Sequence, residues 1–267
     1  MKEVMRFNFG KNWQSYSRKS LTPAHIEQSR RSFRNLVNGI DLHNKTFIDV
    51  GYGQGLSLVA AAEMGAQVLG IDVDRDNIEA LRMVQQTIGY PESIETHIVS
   101  ILDDRFIDES RGRYDIVHSW GVLHHTGDML RAIDNACALV AEGGHFICAI
   151  YNRHWSSPAW KIIKWSYNNL PAPLQQAMIA VLCPVIYVAK FIVTRKNPKR
   201  MDRGMDFLHD VVDWVGGYPY EYAGSEEIRN YVCRQGFLCV RMQAAQVPTG
   251  CNEFVFQRID KTAKSSE

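Results

Sequence analysis

Nine residues, Phe47 to Gly55 in FIDVGYGQG, constrain the fold of this chain more than any other stretch. They set an apolar run containing one acid, Asp49, before Gly51, Gly53 and Gly55, and the helical GLSLVAAAEMG follows at once. A strand, a glycine turn and a helix in that order let a ligand approach the backbone closely. The N–H groups of the turn and of the helix N-terminus favour the ligand's polar or anionic groups. A tight turn with no ligand would use the same glycines.

The alternation continues through QVLGID, DNIEALRMVQQTIG, ETHIVS, YDIVHSWG, MLRAIDNACALVAEGG and HFICAIYN. β-branched runs separated by amphipathic helices predict a parallel, doubly wound α/β sheet. After Asn152 the pattern turns helical, interrupted by Pro171, Pro173 and Pro184, and reads as an insertion. SEEIRNYVCRQG then predicts a helix opening on a capping box at Ser225, and FLCVRMQAA and NEFVFQRI predict antiparallel strands that close the sheet. Upstream, LTPAHIEQSRRSFRNLV suits a helix starting near Pro23. The expected organisation is a helical lead-in over 1–45, a cofactor-binding core over 46–152, a helical insertion with a pocket loop over 153–224, a helix and closing strands over 225–259, and a tail over 260–267.

A dinucleotide fingerprint needs G-x-G-x-x-G, but position 56 is Leu and the third glycine falls one residue early, at Gly55. That spacing disfavours NAD. Asp72 ends QVLGID, where a carboxylate at the end of a second strand can accept both hydroxyls of a ribose. Glycine loop and acid together suit an adenosine without demanding a pyrophosphate.

FIDVGYGQG, GIDVD, YDIVHSWGVLHH and LVAEGGHFICAIYN, in that order from about Thr46 to Asn152, resemble the class I S-adenosylmethionine-dependent methyltransferases. The likeness is strongest to small-molecule enzymes related to quinone-biosynthesis and glycan-cluster methyltransferases. The resemblance implies a Rossmann-like, doubly wound seven-stranded sheet, mostly parallel with an antiparallel last strand, here with a helical cap insertion. It implies S-adenosyl-L-methionine as cofactor and a small-molecule or glycan-like acceptor, methylated at oxygen. By the same resemblance Asp49, Gly51, Gly53 and Gly55 face the methionine and ribose of the cofactor, Asp72 its ribose hydroxyls, Ser100 and Ile101 the adenine, and Ser119 and Trp120 the methionyl end. The family often carries an Asp where this chain has Ser100, and Asp103 is the expected substitute. Two alternatives stay open: a cofactor-binding protein of this fold without catalysis, and a methyltransferase for lipophilic substrates at a membrane surface.

Methyl transfer to a hydroxyl benefits from a base. His125, after the fourth strand, and His209 are the candidates, whereas His124 is expected to cap a helix or sit on the surface. Tyr151 and Asn152 end the fifth strand at the same sheet edge, and HDVVDWVGGYPYEY adds Asp210, Asp213 and Tyr218 as substrate contacts. Asn252 and Glu253 are expected near that cluster. One His among carboxylates is weak evidence for a metal, and none is expected.

Thirty Lys and Arg against 29 Asp and Glu leave a net charge of +1, which gives no global field for nucleic acid. Six scattered cysteines without a C-x-x-C pair suit reduced thiols. The polar start, with no apolar segment, argues against a secretory signal, so a cytoplasmic protein is expected. Ala177 to Val193, apolar for 13 residues before Lys190 and carrying Pro184, reads as too short to span a bilayer. Flanked by RKNPKR, it leaves open a cap helix, a homodimer contact or peripheral contact with a membrane.

Overall fold

Strand β1 (Thr46–Val50) buries Phe47, Ile48 and Val50 and lies inside the sheet, which explains why Phe47 to Val50 is apolar apart from Asp49. The computed structural model describes residues 7–90, 92–198 and 207–260. Two helices precede β1, α1 (Phe9–Lys19) and α2 (Pro23–Leu36). Thr22 Oγ1 caps α2 by accepting from His25 N at 3.2 Å, with Pro23 in the first turn where its missing N–H costs nothing. Alternating units follow: α3 (Leu56–Glu63), β2 (Gln67–Asp72), α4 (Asp76–Ile88), β3 (Glu95–Ile98), α5 (Asp104–Ser110), β4 (Tyr114–Trp120), α6 (Met129–Leu139) and β5 (Val140–Tyr151). The chain then forms α7 (Ser157–Asn169), α8 (Ala172–Thr194), α9 (Phe207–Gly216), α10 (Ser225–Cys233), β6 (Phe237–Gln243) and β7 (Cys251–Arg258).

The seven strands lie in the order β3-β2-β1-β4-β5-β7-β6. The first five run parallel and β7 runs antiparallel to both neighbours, the Rossmann-like arrangement expected from the sequence. Strand order reverses between β1 and β4, so the loops after these two strands part and leave a crevice at their C-terminal ends. One face of the sheet packs α5, α6 and α10 around Ile48, Val117 and Phe146, and the other packs α2, α3 and α4 around Phe47, Leu58 and Ile116. A third cluster joins α7, α8 and α9 through Tyr167, Ile186 and Val211.

Two local expectations are corrected. Helix α8 runs for 23 residues straight through Pro184, longer than the apolar run suggested. A proline inside a helix forfeits one hydrogen bond, and here the packing of Ile186 and its neighbours on α9 holds the helix together past it. The helix expected to be capped at Ser225 is capped one residue earlier: Gly224 N donates to Glu227 Oε2 at 3.3 Å. Part of RKNPKR, Lys199 and Arg200, and the 261–267 portion of the tail lie outside the described residues.

Candidate active site

The turn after β1 places Gly51, Gly53 and Gly55 at φ of +73°, +54° and +80°, in the left-handed region that side-chain-bearing residues avoid. Gly53 N donates to Asp72 Oδ2 at 3.2 Å and Asp74 N to Asp72 Oδ1 at 2.9 Å. The Asp72 carboxylate thus ties the turn to the end of β2. Burial pushes that carboxyl up to about 6, against the backbone N–H groups that lower it. Helix α1 closes over the turn: a Cβ on Gly53 would lie 3.2 Å from Trp13 Nε1, and Gly10 N donates to Asp74 Oδ2 at 2.9 Å.

A cavity of about 1540 Å³ starts at this turn, lined by Asp49, Gly51, Gly53, Asp72, Ser100, Ile101 and Trp120. Its wall includes Gln54 and Asn77, whose buried side-chain oxygens find no protein partner among the described residues. The cavity continues past Trp13 and Phe9 of α1 to His125, Tyr151, Asp213 and Trp214. That volume exceeds the space one small ligand fills and suits two side by side.

At the far end His125 Nδ1 lies 2.6 Å from the Pro219 carbonyl oxygen. A carbonyl only accepts, so Nδ1 carries the proton and Nε2 is left as a bare acceptor. Burial, with a smaller contribution from Lys164, pushes His125 down to about 3, which keeps the ring neutral. Lys164 is fully buried behind this wall; its Nζ donates to the Trp214 carbonyl and sits 4.8 Å from the ring centres of Trp214 and Tyr220 and 5.5 Å from that of Tyr151. Burial lowers Lys164 to about 7 and raises Asp213 to about 7. Asn12 of α1 reaches Asp213, donating from Nδ2 to Oδ1 at 2.7 Å, so α1 is bonded to both ends of the cavity.

Of the residues singled out in the sequence, Asp49, Gly51, Gly53, Asp72, Ser100, Ile101, Trp120, His125, Tyr151, Asp210, Asp213, Tyr218 and Glu253 line this one cavity. Others are held elsewhere. Gly55 starts α3, Ser119 Oγ donates to Val50 O at 3.1 Å, and Asp103 caps α5 by accepting from Phe106 N. His209 lies off the cavity, its Nε2 3.3 Å from Ser15 Oγ and its ring against Tyr16. Asn152 and Asn252 bond to each other and to backbone, which fixes the ends of β5 and β7. His124, expected at a cap or on the surface, is fully buried with Tyr151 N donating to its Nδ1. Sequence reasoning missed His118, buried with Nδ1 2.7 Å from Asp49 Oδ1 and stacked between Phe47 and Trp120. A polar ring in the apolar run of β4 was its signal. It placed α1 only within the helical lead-in and missed that Phe9 and Trp13, which with Tyr16 repeat at helical spacing, line the cavity.

A family model described as a methyltransferase domain matches residues 25–178. Among curated relatives, the ubiquinone biosynthesis O-methyltransferase of Vibrio parahaemolyticus is 33% identical over 122 residues, 46% of this chain and 50% of that protein. Its counterpart in Rhodopseudomonas palustris is 30% identical over 138 residues, 52% of each. The chain spans about half the length of the curated relatives it matches. Among solved structures, magnesium protoporphyrin IX methyltransferase from Synechocystis PCC 6803, with bound SAH, superposes with a TM-score of 0.57 at 15% identity, covering 93% of each chain. An O-methyltransferase family protein from Burkholderia thailandensis gives a TM-score of 0.56 at 14% identity, over 93% of this chain and 60% of that one. At such identities the likeness to the solved structures shows the fold.

Proposed function

This chain belongs to the methyltransferase domain family, and on that footing we propose that it moves a methyl group from S-adenosyl-L-methionine to a hydroxyl oxygen of a small organic acceptor. The observation that carries the reading is the single cavity joining the glycine turn and Asp72 at one end to His125 at the other. The residues fit such a cofactor. Asp72 offers a carboxylate for ribose hydroxyls, the glycines leave room beside the backbone, and the unpartnered Gln54 and Asn77 oxygens await donors. S-adenosyl-L-methionine, when bound, supplies an electrophilic methyl group on a positively charged sulfur.

The chain's own residues then have two tasks. Trp214, Tyr151 and Trp160 form the aromatic wall that orients an acceptor and keeps water out. His125 Nε2 takes the proton that leaves the acceptor hydroxyl as the new C–O bond forms. With that cofactor bound, the cation gained by the His125 ring would replace the one lost by the methyl donor, so the net charge of the cavity would not change and the burial that disfavours a cationic ring would be offset. The names of the curated relatives support oxygen as the atom methylated.

Titration calorimetry with S-adenosylhomocysteine and with NAD tests the cofactor, and transfer of labelled methyl to a panel of hydroxylated aromatics tests the reaction. Binding of the first ligand alone, with transfer to at least one acceptor, is expected; failure of S-adenosylhomocysteine to bind overturns the reading. Asp72→Ala is expected to weaken that binding by about 1–3 kcal/mol, since ribose hydroxyls lose a charged acceptor. Binding uses the ionised carboxylate, and burial has raised its pKa to about 6. Affinity should therefore be flat above that pH and fall as pH drops through it. The same titration as a pH series checks this, and an unchanged affinity in Asp72→Ala removes Asp72 from the site.

A further inference from the structure

Helices α7 and α8 leave an outer face that the rest of the fold does not cover. Val181, Val185, Val188 and Ile192 of α8 recur at i, i+4, i+7 and i+11 and are 67%, 59%, 53% and 62% exposed. Trp155, just before α7, and Ile162 and Trp165 within it are exposed as well. Among the described residues α8 is the one helix long and apolar enough to cross a membrane. Its other side is committed to protein, however. Ile186 is buried with Val211 and Val215 of α9, Lys190 is ion-paired with Asp210, and Ala189 and Val193 line the cavity. A helix held along one side can offer lipid only the opposite face, so it suits lying in a membrane surface and not piercing it.

The charge around this face names what covers it. Residues 143–201 carry eight Lys and Arg and no Asp or Glu, in a chain with 29 acidic residues. Lys164 among the eight is buried, and Arg153 and Lys190 are paired with Glu227 and Asp210. Lys161 on α7 and Arg195 and Lys196 at the end of α8 are exposed. Cations at the end of an apolar stripe, with exposed tryptophans on and beside the neighbouring helix, match the boundary between anionic headgroups and acyl chains. Two copies of the chain meeting through this patch would set one acid-free basic segment against another, which disfavours self-association.

We propose that the outer face of α7 and α8 docks the protein on an anionic lipid bilayer, with α8 lying in the plane of the surface. Because α8 also lines the cavity through Ile186, Ala189 and Val193, docking sets one wall of the cavity beside lipid. The surface itself does not depend on the reaction proposed above.

The test is flotation of the full chain with vesicles of phosphatidylcholine alone and of phosphatidylcholine mixed with phosphatidylglycerol, at low and high salt. Co-flotation with the anionic vesicles, weakened by salt, is expected. Val181→Glu combined with Val185→Glu should cut the bound fraction at least roughly tenfold, with the unfolding midpoint and S-adenosylhomocysteine affinity unchanged, since neither valine lines the cavity. Equal flotation with both vesicles, flotation with neither, or a concentration-dependent dimer dissolved by Val185→Glu in a chain that ignores vesicles each overturns the proposal. Titration separates the two readings: a chain that binds S-adenosylhomocysteine and does not float sinks the surface and leaves the transfer reaction standing, and the reverse pattern does the opposite.

Discussion

Replacing His125 by alanine is expected to lower kcat by about 10²–10⁴ while S-adenosylhomocysteine binds as before. The proton on Nδ1 is committed to Pro219 O, so Nε2 is the ring nitrogen able to accept one. A residue that acts on the acceptor's proton leaves cofactor affinity alone. The pH profile carries a second signature. A free His titrates near 6.5, whereas burial holds this one down at about 3, so the neutral base persists through the whole weakly acidic range. An acid limb near 6 in kcat/KM should then follow Asp72 and disappear in Asp72→Asn. A kcat unchanged in His125→Ala removes His125 as base, and an acid limb near 6 that survives in Asp72→Asn shows that Asp72 is not its source. His125 also packs on Phe9 and Tyr151, so loss of activity that tracks a fall in the unfolding midpoint assigns the ring to packing; His125→Gln, which keeps most of the volume, separates the two.

Gly53→Val is expected to cost at least roughly 10²-fold in S-adenosylhomocysteine affinity, from about 3 kcal/mol of combined backbone strain and displaced contacts. A β-branched residue at φ of +54° is strained whatever surrounds it, and its Cβ would press on the Trp13 indole at 3.2 Å. Two outcomes are available to the protein, and both harm binding. Either the turn shifts and Gly53 N leaves Asp72, or α1 lifts from the turn. Gly53→Ala should show the same sign with a smaller loss. Calorimetry beside thermal unfolding checks the effect; a folded Gly53→Val protein with normal affinity would show that this turn does not hold the cofactor.

The order of elements from β1 to β5 was legible because each element there is specified locally: a buried strand needs an apolar run, a tight turn needs glycine, and amphipathic helices show their period. The same holds for the cavity end built from Gly51, Gly53 and Asp72, which lie on consecutive units of that alternation. What the sequence did not disclose depends on elements far apart in the chain. Asp49 lines the cavity as expected of a cavity residue, but its bond to His118, 69 residues on, could not be read from the sequence. His209 shares a helix with Asp213, yet one turn of that helix meets Ser15 and Tyr16 of α1 and the other meets the cavity. Lys164 resembles any lysine of an amphipathic helix; its burial is set by Trp214 and Tyr220, from a different part of the chain. Proline gave the opposite error at position 184, where a local rule was overridden by packing on α9.

Helix α1 is bonded to Asp74 beside the turn and to Asp213 beside the acceptor wall. An element anchored at both ends makes the two ligands parties to one equilibrium, the seating of that helix. A ligand that settles α1 at one end lowers the free energy still needed to settle it at the other, and linkage requires the favour to be returned in equal measure. Under the proposed reaction the cofactor and acceptor would then be cooperative through α1 in addition to their direct contact, and demethylated cofactor should cling more tightly while an acceptor analogue is present than when the product has left.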